Sequence, residues 1–453
     1  MAASVDPATR KRVLKVVFIS LLLDLISFTF ILPLFPKLLE FYRNSEAPTD
    51  PSAPPRDTLL SWILSQLNAY KAAFARPIDS RYDIVLLGGA LGSLFSLLQA
   101  FASPIIGTLS DSYGRRTALL ASMMGNILSV LLWVMAVDFR TFLLSRVVGG
   151  LSEGNVQLAT AIATDISDSK TRGSTMALIG ACFSIAFTFG PALGAWLSSI
   201  ATVAANPFAT AAGFSLFLIV TETVYLYTSL PETLPSMSEN TKGEDKSNGK
   251  AAEQEPIQRT NSHFVLNLTH FAFLLFFSGM EFSLPFMTYE LFGYSSAKNG
   301  RLLGFVGLVA SILQGGVTRR LPPLLSVKTG VVSCLLAFVL LGRLTSVPML
   351  YLAATFLATT SATVVTGLNA LASFEASEGE RGGKLGVMRS WGQVGRGLGP
   401  ILFTSVYWWA GREVAYVIGA AGIAGVTAIV FGGLRSPPGS EANAKAAKAG
   451  KKE

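Results

Sequence analysis

The chain has 453 residues, 51% hydrophobic and only 14% charged, with a mean hydropathy of +0.49 and a formal net charge of +8. A water-soluble globule carries about a quarter of its residues as charges, so these proportions exclude an ordinary soluble domain and point to a bilayer protein. The positive balance is weak evidence for a nucleic-acid partner, and none is expected, because cytoplasmic loops of membrane proteins retain Lys and Arg.

Twelve apolar runs stand at about 14–35, 83–106, 117–137, 140–163, 174–199, 208–230, 264–287, 299–317, 329–344, 348–371, 385–408 and 413–434. Each can cross a ~30 Å hydrocarbon core as a helix, the form that satisfies its own backbone hydrogen bonds in lipid, although the ninth is short. The expected class is an all-α integral membrane protein with twelve transmembrane helices.

The first run follows Arg10, Lys11, Arg12 and Lys15. A secretory signal is rejected, because the run is long, lacks a small-residue cleavage site and carries Asp24 and the pair Pro33 and Pro36. Next comes a long loop, 36–82, expected on the outer side. Its Asp50-Pro51-Ser52-Ala53-Pro54-Pro55 stretch should be irregular, whereas Leu59, Leu60, Ile63, Leu64 and Leu67 recur at helical spacing beside Trp62. They predict an amphipathic helix, either a spacer or a cap over an entrance. Between the second and third runs, Gly107 to Arg116 (GTLSDSYGRR) reads as a polar cytoplasmic loop.

The fourth run carries Arg146 and Glu153, the fifth Gly190, Pro191 and Gly194, and the sixth Glu222. A polar, Ser-, Asn-, Lys- and Glu-rich linker then separates the chain into halves at 231–262. Beyond it, the seventh run holds His270 and Glu281, the tenth Thr359, Thr360, Thr363, Thr366 and Asn369, and the eleventh Arg389 and Arg396. Cys182 and Cys334 lie in apolar runs and report nothing about redox compartment. With the N-terminus inside, 22 basic residues fall in cytoplasmic segments and 11 outside. Lys445, Lys448, Lys451 and Lys452 close a basic tail that either faces anionic lipid or is solvated.

Two landmarks repeat. Gly107 recurs as Gly316, each followed by an arginine pair, and Gly190-Pro191 recurs as Gly399-Pro400, both at a separation of 209 residues. The expected organisation is a tail over 1–13, a six-helix bundle over 14–230, the linker, a pseudo-symmetric second bundle over 263–434 and a cytoplasmic tail over 435–453. Internal duplication of this kind places a substrate site near mid-membrane between two rocking halves.

On these residues the chain resembles the major facilitator superfamily, in its drug/proton antiporter branch. The 107–116 segment resembles the signature between helices two and three, Arg146 to Gly150 that of helix four, Gly190-Pro191-Ala192-Leu193-Gly194 the antiporter signature of helix five, and Leu230-Pro231-Glu232-Thr233-Leu234 the exit from helix six. Within the branch, Asp24 in its leucines, Ser145-Arg146, Gly149-Gly150, Gly154-Asn155, Ser278 to Glu281 and Arg389-Ser390 resemble a eukaryotic tetracycline-transporter-like group. The resemblance implies transport of a drug or organic anion. Ser112 departs from the loop signature, and Ala177, Ala186 and Ala195 stand where glycine is frequent in helix five, which weakens the case for strict antiport.

The resemblance further implies an inner gate. Gly107, Gly114 and Arg116 would shape it, Asp111 would accept hydrogen bonds at the start of helix eleven, Arg115 would pair with Asp165, and Gly190, Pro191 and Gly194 would set close helix contacts. Plain positive-inside topology is the alternative. Intramembrane charge carries the mechanism, because it is costly in lipid and is kept for a pathway. Asp24, Glu153 and Glu281 are the proton-coupling candidates, with a static salt bridge as the alternative for Asp24. Arg146, Asn155, Arg389 and Arg396 are the substrate-binding candidates. Arg146 and Glu153, like Arg389 and Arg396, are seven residues apart on one helical face, and the second pair would hold a carboxylate bidentately. Arg389 is equally placed to snorkel toward a headgroup, so that role stays open. Glu222 is expected to serve structure, as are His263 and, unless it relays protons, His270.

No P-loop, zinc-ligand or nucleophile-elbow pattern is present, so no enzyme, cofactor or metal is expected. The chain is expected to be a monomer in the lipid bilayer that exchanges protons for a small amphipathic organic compound. A uniporter or symporter of the same fold, and a non-transporting receptor or scaffold, are the alternatives. No retention or acylation signal is read, which leaves plasma and organelle membranes equally open.

Overall fold

A computed structural model describes residues 6–31, 34–46, 57–74, 82–198, 200, 206–234, 259–377 and 379–440. The middle of the linker, Pro33, the proline-rich stretch of the 36–82 loop and the lysines of the last tail lie outside the described residues. Regular structure among the described residues is entirely helical.

Helix α1 (Pro7–Thr29) begins where the Asp6 carboxylate accepts the backbone N–H of Thr9 at 3.1 Å and Pro7 fills a position with no helical N–H bond to lose. It stops at Thr29, short of residue 35, and a separate helix, α2 (Phe35–Glu46), follows within the segment expected to be loop. Pro33 and Pro36 supply no backbone donors, which favours this break. Thr58 and Ser61 form a reciprocal cap for α3 (Leu59–Ala72), the amphipathic helix expected from the leucine spacing.

Helix α4 (Asp83–Tyr113) continues far beyond its apolar run, so 107–113 is helix and not loop. The turn is made by one residue, Gly114, at φ 95° and ψ 152°, and α5 (Arg115–Val134) starts immediately after it. A side chain at that φ would be strained. The fourth run is two helices, α6 (Phe139–Ser152) and α7 (Asn155–Asp165). Glu153 leaves the helical region at ψ 85°, and Gly154 fits where a Cβ would press on Ser122 and Ile106. Helices α8 (Arg172–Ser198) and α9 (Ala209–Ser229) precede the linker. Beyond it run α10 (His263–Phe292), α11 (Ser296–Gly316), α12 (Pro323–Gly342), α13 (Val347–Phe374), α14 (Arg381–Ala410) and α15 (Arg412–Gly433).

Among the described residues nine helices are long and apolar enough to cross a membrane. The three expected runs outside that set are α1, the α6–α7 pair and α14, and these hold Asp24, Arg146 with Glu153, and Arg389 with Arg396. Charge and a broken backbone are what lower their apparent apolarity. The spans that look least like membrane helices carry most of the intramembrane charge singled out above, Glu222 on α9 and Glu281 on α10 excepted.

Apolar packing forms two main cores, one drawn mostly from α1, α2 and α5 to α9, the other mostly from α10 to α15. Helix α4 stands between them, with Leu87 and Leu91 in the first core and Leu86 in the second. It packs along α14 for much of its length. On the far side from Gly114, α3 also touches both cores. Leu60, Ile63 and Leu64 face the first, Tyr70 and Phe74 the second, and Leu67 both. Tyr70 Oη lies 2.7 Å from Ser405 Oγ, Lys71 pairs with Asp83, and Trp62 stays exposed. The helix therefore bridges the two cores.

Leu67→Ala should remove a half-buried contact shared by both cores and lower stability by about 1–2 kcal/mol, whereas exposed Trp62→Ala should be neutral. Melting temperatures of the two variants in detergent micelles check this; equal values would mean that α3 is not docked.

Candidate functional site

Two constellations stand out, one at the Gly114 end of the molecule and one at the depth of the α6–α7 break. At the first, the side chain of Arg115 has no exposed surface. Its Nε donates to Asp165 Oδ2 at 2.8 Å, and its Nη1 donates to Asp111 Oδ1 at 2.6 Å and Ser110 Oγ at 2.7 Å. Asp165, equally buried, also receives Arg381 Nη1 at 3.0 Å on its other oxygen. The Asp111 carboxylate caps α14, accepting the backbone N–H of Gly382 at 2.9 Å and of Gly383 at 2.6 Å. A carboxylate on the first free N–H groups of a helix is favoured both by hydrogen bonding and by the helix dipole. Two arginines and two aspartates thus form a neutral buried network that ties α4 and α7 to the start of α14.

The expected Arg115–Asp165 pairing and the expected Asp111 contact are both present. Gly107 explains how: a Cβ there would collide with the carbonyl oxygen of Gly382. Two further members were not anticipated. Arg381 opens α14, and Glu232, in the segment read only as a helix exit, accepts the backbone N–H of Arg115 at 2.8 Å and of Arg116 at 3.1 Å, which caps α5. A Glu directly after a Pro at the end of an apolar run was the available signal. Arg116 reaches the Tyr227 carbonyl at 2.6 Å and lies 5.3 Å over that ring. Gly190 and Gly194 sit against Thr29 and the backbone of Phe30, where α8 meets α1, and Pro191 is half-buried within α8.

The second constellation is a cavity lined by Asp24, Ser27, Asn126, Ser129, Arg146, Glu153 and Ser215, closed by Phe28, Phe95 and Trp133. Asp24, Arg146 and Glu153 are all buried, and Asn155 at the start of α7 lies close enough to act on the Asp24 carboxyl. The start of α7 thus lies on the Asp24 side of the break. Asn155 Nδ2 lies 3.2 Å from Met123 Sδ, and Oδ1 has no partner among the described residues. Arg146 sits over the rings of Trp133 at 5.8 Å and Phe142 at 5.5 Å and donates to Ser145 Oγ at 2.9 Å. It makes no ion pair within 4.0 Å among the described residues.

This cavity brings together two of the three proton-coupling candidates, Asp24 and Glu153, and not Glu281. Its lining comes from α1, α4, α5, α6, the α6–α7 break and α9, and none from beyond the linker. The acids converge inside the first core, not in a chamber shared with α10. The second half contributes only Arg389, whose charge acts on Asp24 and Glu153 from α14. Arg389 and Arg396 act on each other and both act on His270, but they differ in burial. Arg396 is exposed, and it is the cation that acts on Glu281, itself exposed on α10. Nor do Arg146 and Glu153 share a continuous helical face, because Glu153 begins the break.

Other candidates have local partners. His263 Nε2 lies 3.1 Å from the Glu375 carbonyl, and His270 Nδ1 lies 3.0 Å from the Met388 carbonyl with its ring over Gly392. The hydroxyls of α13 mostly bond back along their own helix, although Thr360 also reaches Gly330 of α12.

With this geometry in view, comparison with known proteins gives a consistent picture. A model of the Major Facilitator Superfamily matches residues 17–400. The chain is 36% identical over 435 residues to mouse (Mus musculus) major facilitator superfamily domain-containing protein 10, covering 92% of this chain and 91% of that one. It is 27% identical over 336 residues to the class G tetracycline resistance protein of Vibrio anguillarum, covering 70% of this chain and 80% of the relative. The crystal structure of the human organic anion transporter MFSD10 (TETRAN) superposes with a TM-score of 0.81 at 32% identity, covering 94% of this chain and all of that one.

Asp165→Asn should leave Arg115 and Arg381 with one neutral partner in a buried site and cost about 3–5 kcal/mol, as when one partner of a buried ion pair is removed. Thermal unfolding in detergent checks this; a loss below about 1 kcal/mol would show that solvent reaches the network.

Proposed function

The chain belongs to the Major Facilitator Superfamily, and on that premise we propose that it exchanges protons for a small amphipathic organic anion by alternating access. Membership makes it a multi-pass membrane transporter. The finer reading is twelve transmembrane spans, the fourth formed by α6 and α7, arranged as two bundles of six on either side of the linker, with the Gly114 end in the cytoplasm. Basic residues concentrated at that end support the orientation.

The observation that carries the coupling is the buried meeting of Asp24, Glu153 and Arg146 in a polar cavity at membrane depth. A carboxyl in such a place is stable either protonated or facing a cation, and the two forms differ by one charge. Exchange requires the carrier to cross with the proton or with the anion but not with both, so a protonated Asp24 belongs to the proton-loaded passage and the anion-loaded passage follows once that proton has left. Arg389 of the second half, whose charge acts on both acids, is the group through which one cargo reaches the other. The solved relative described as an organic anion transporter supports an anionic substrate.

The Arg115 network acts as the cytoplasmic gate in this reading. While Asp111 holds Gly382 and Gly383 and Asp165 holds Arg381, the two halves are pinned at that end, and opening inward separates these pairs. Glu281 on α10, acted on by the exposed Arg396, is a second acid of the second half and stays apart from the Asp24 cavity.

Proteoliposomes with an imposed pH step, screened with tetracycline and a panel of amphipathic carboxylates, test the proposal. Each proton exchanged per anion should support up to about tenfold accumulation per pH unit, equivalent to ~1.4 kcal/mol. Asp24→Asn should keep counterflow and lose that accumulation. Uptake that follows pH equally in both proteins would refute Asp24 as the coupling site, and ligand binding without flux would favour a receptor.

A further inference from the structure

Glu222 takes no part in either constellation as described, yet it is 1% exposed and its Oε2 has no hydrogen-bond partner among the described residues. Its position follows from two antiparallel helices. Helix α1 starts, and α9 ends, at the Gly114 side of the molecule, where Arg10 pairs with Asp168 and Arg116 reaches Tyr227. The two helices are tied at Ser27 and Ser215, whose hydroxyls share a short hydrogen bond. At ~1.5 Å per residue, Asp24 lies ~4.5 Å from that tie and Glu222 ~10 Å, in the same direction. Some ~6 Å of rise along the axis therefore separates the two residues, about one helical turn, a gap that their side chains and intervening water can span.

The face agrees with the depth. Ser215 and Ile219 of α9 line the cavity, and Glu222 follows them at the i+7 position of the same stripe, one turn nearer the Gly114 end. The charged groups that act on it are Asp24 of α1 and Glu153 at the α6–α7 break, both acidic. Among the helices packed against α9, α5 and α8 carry arginines only at their Gly114 ends, at Arg115, Arg116 and Arg172, and α1 carries its cations, Arg10, Lys11, Arg12 and the exposed Lys15, toward that same end. A packing role would be served as well by an apolar residue, and a buried acid without cation or donor is retained at a cost.

We propose that Glu222 is a proton-accepting partner of Asp24, an inner station on the cytoplasmic side of the cavity that lets the proton move within the first core while the anion moves between the halves. The proposal rests on the coupling role given to Asp24 above. In the transfer a proton leaves an Asp24 carboxyl oxygen and joins one of Glu222, so no electrons move and the charge of the cluster is unchanged.

The test uses the purified full chain in lipid nanodiscs, with infrared difference spectra of protonated carboxyl groups and dye-reported proton counts across one pH step. Glu222→Gln should remove one titrating carboxyl band and release one fewer proton per protein, and Asp24→Asn should displace the midpoint of the band that Glu222→Gln removes. Spectra and counts identical to wild type in Glu222→Gln, or a Glu222 band indifferent to Asp24→Asn, would overturn the proposal. Should the glutamine variant not fold, Glu222→Asp keeps an acid and must alter the same band; an unaltered band overturns the proposal equally. An Asp24→Asn protein that has lost no titrating band of its own sinks the coupling role of Asp24 instead, so the two failures are separable.

Discussion

A guanidinium with no exposed surface decides how the two cores are joined. Arg115 cannot be buried alone, because an unpaired charge out of water costs several kcal/mol, and the two aspartates that neutralise it come from the end of α4 and the end of α7. Each aspartate has acceptor capacity to spare, and each directs it to the start of α14. At the Gly114 end the joint between the cores follows from the electrostatic needs of one arginine, and apolar packing of α4 on α14 continues it along the helices. Such a joint is suited to opening, since it exchanges discrete charged pairs for water, while the apolar cores on either side stay intact.

The same economy of charge shapes the membrane-depth site. Lipid-depth backbone is kept helical unless protein surrounds it, and the α6–α7 break is tolerated because Ser122, Ile106 and the first core enclose it. The break puts the start of α7 on the Asp24 side and turns Glu153 into the cavity. Aromatic faces, not carboxylates, hold Arg146. Its charge is thereby kept near the acids without being cancelled by any one of them, an arrangement in which small changes in protonation alter the balance.

In the proposed cycle, proton chemistry inside one core and anion chemistry between the cores divide the labour in space. Arg389 is the element common to both, since it projects from α14 toward acids of the first core. Arg396 and Glu281 belong to the second half alone. At the opposite end, α3 lies across both cores, so motion of one against the other must strain or shift that bridge.

The sequence by itself determined the all-helical membrane class, the place of nearly every apolar run and the family, because lipid demands long unbroken hydrophobic helices and the gate signature is contiguous in the chain. It also showed Asp24, Arg146 and Glu153 as out of place in lipid, since composition alone exposes a charge in an apolar run. Only the tertiary structure decided where those charges point. Periodicity treats 140–163 as one helix, whereas packing against Gly154 breaks it, and spacing alone did not show that Arg389 acts on the acids of the first core while Arg396 acts on Glu281. Glu232, Arg381 and Glu222 were illegible for one reason: each acts on residues far along the chain or on a neighbouring helix, and partners of that kind are set by packing, not by local pattern.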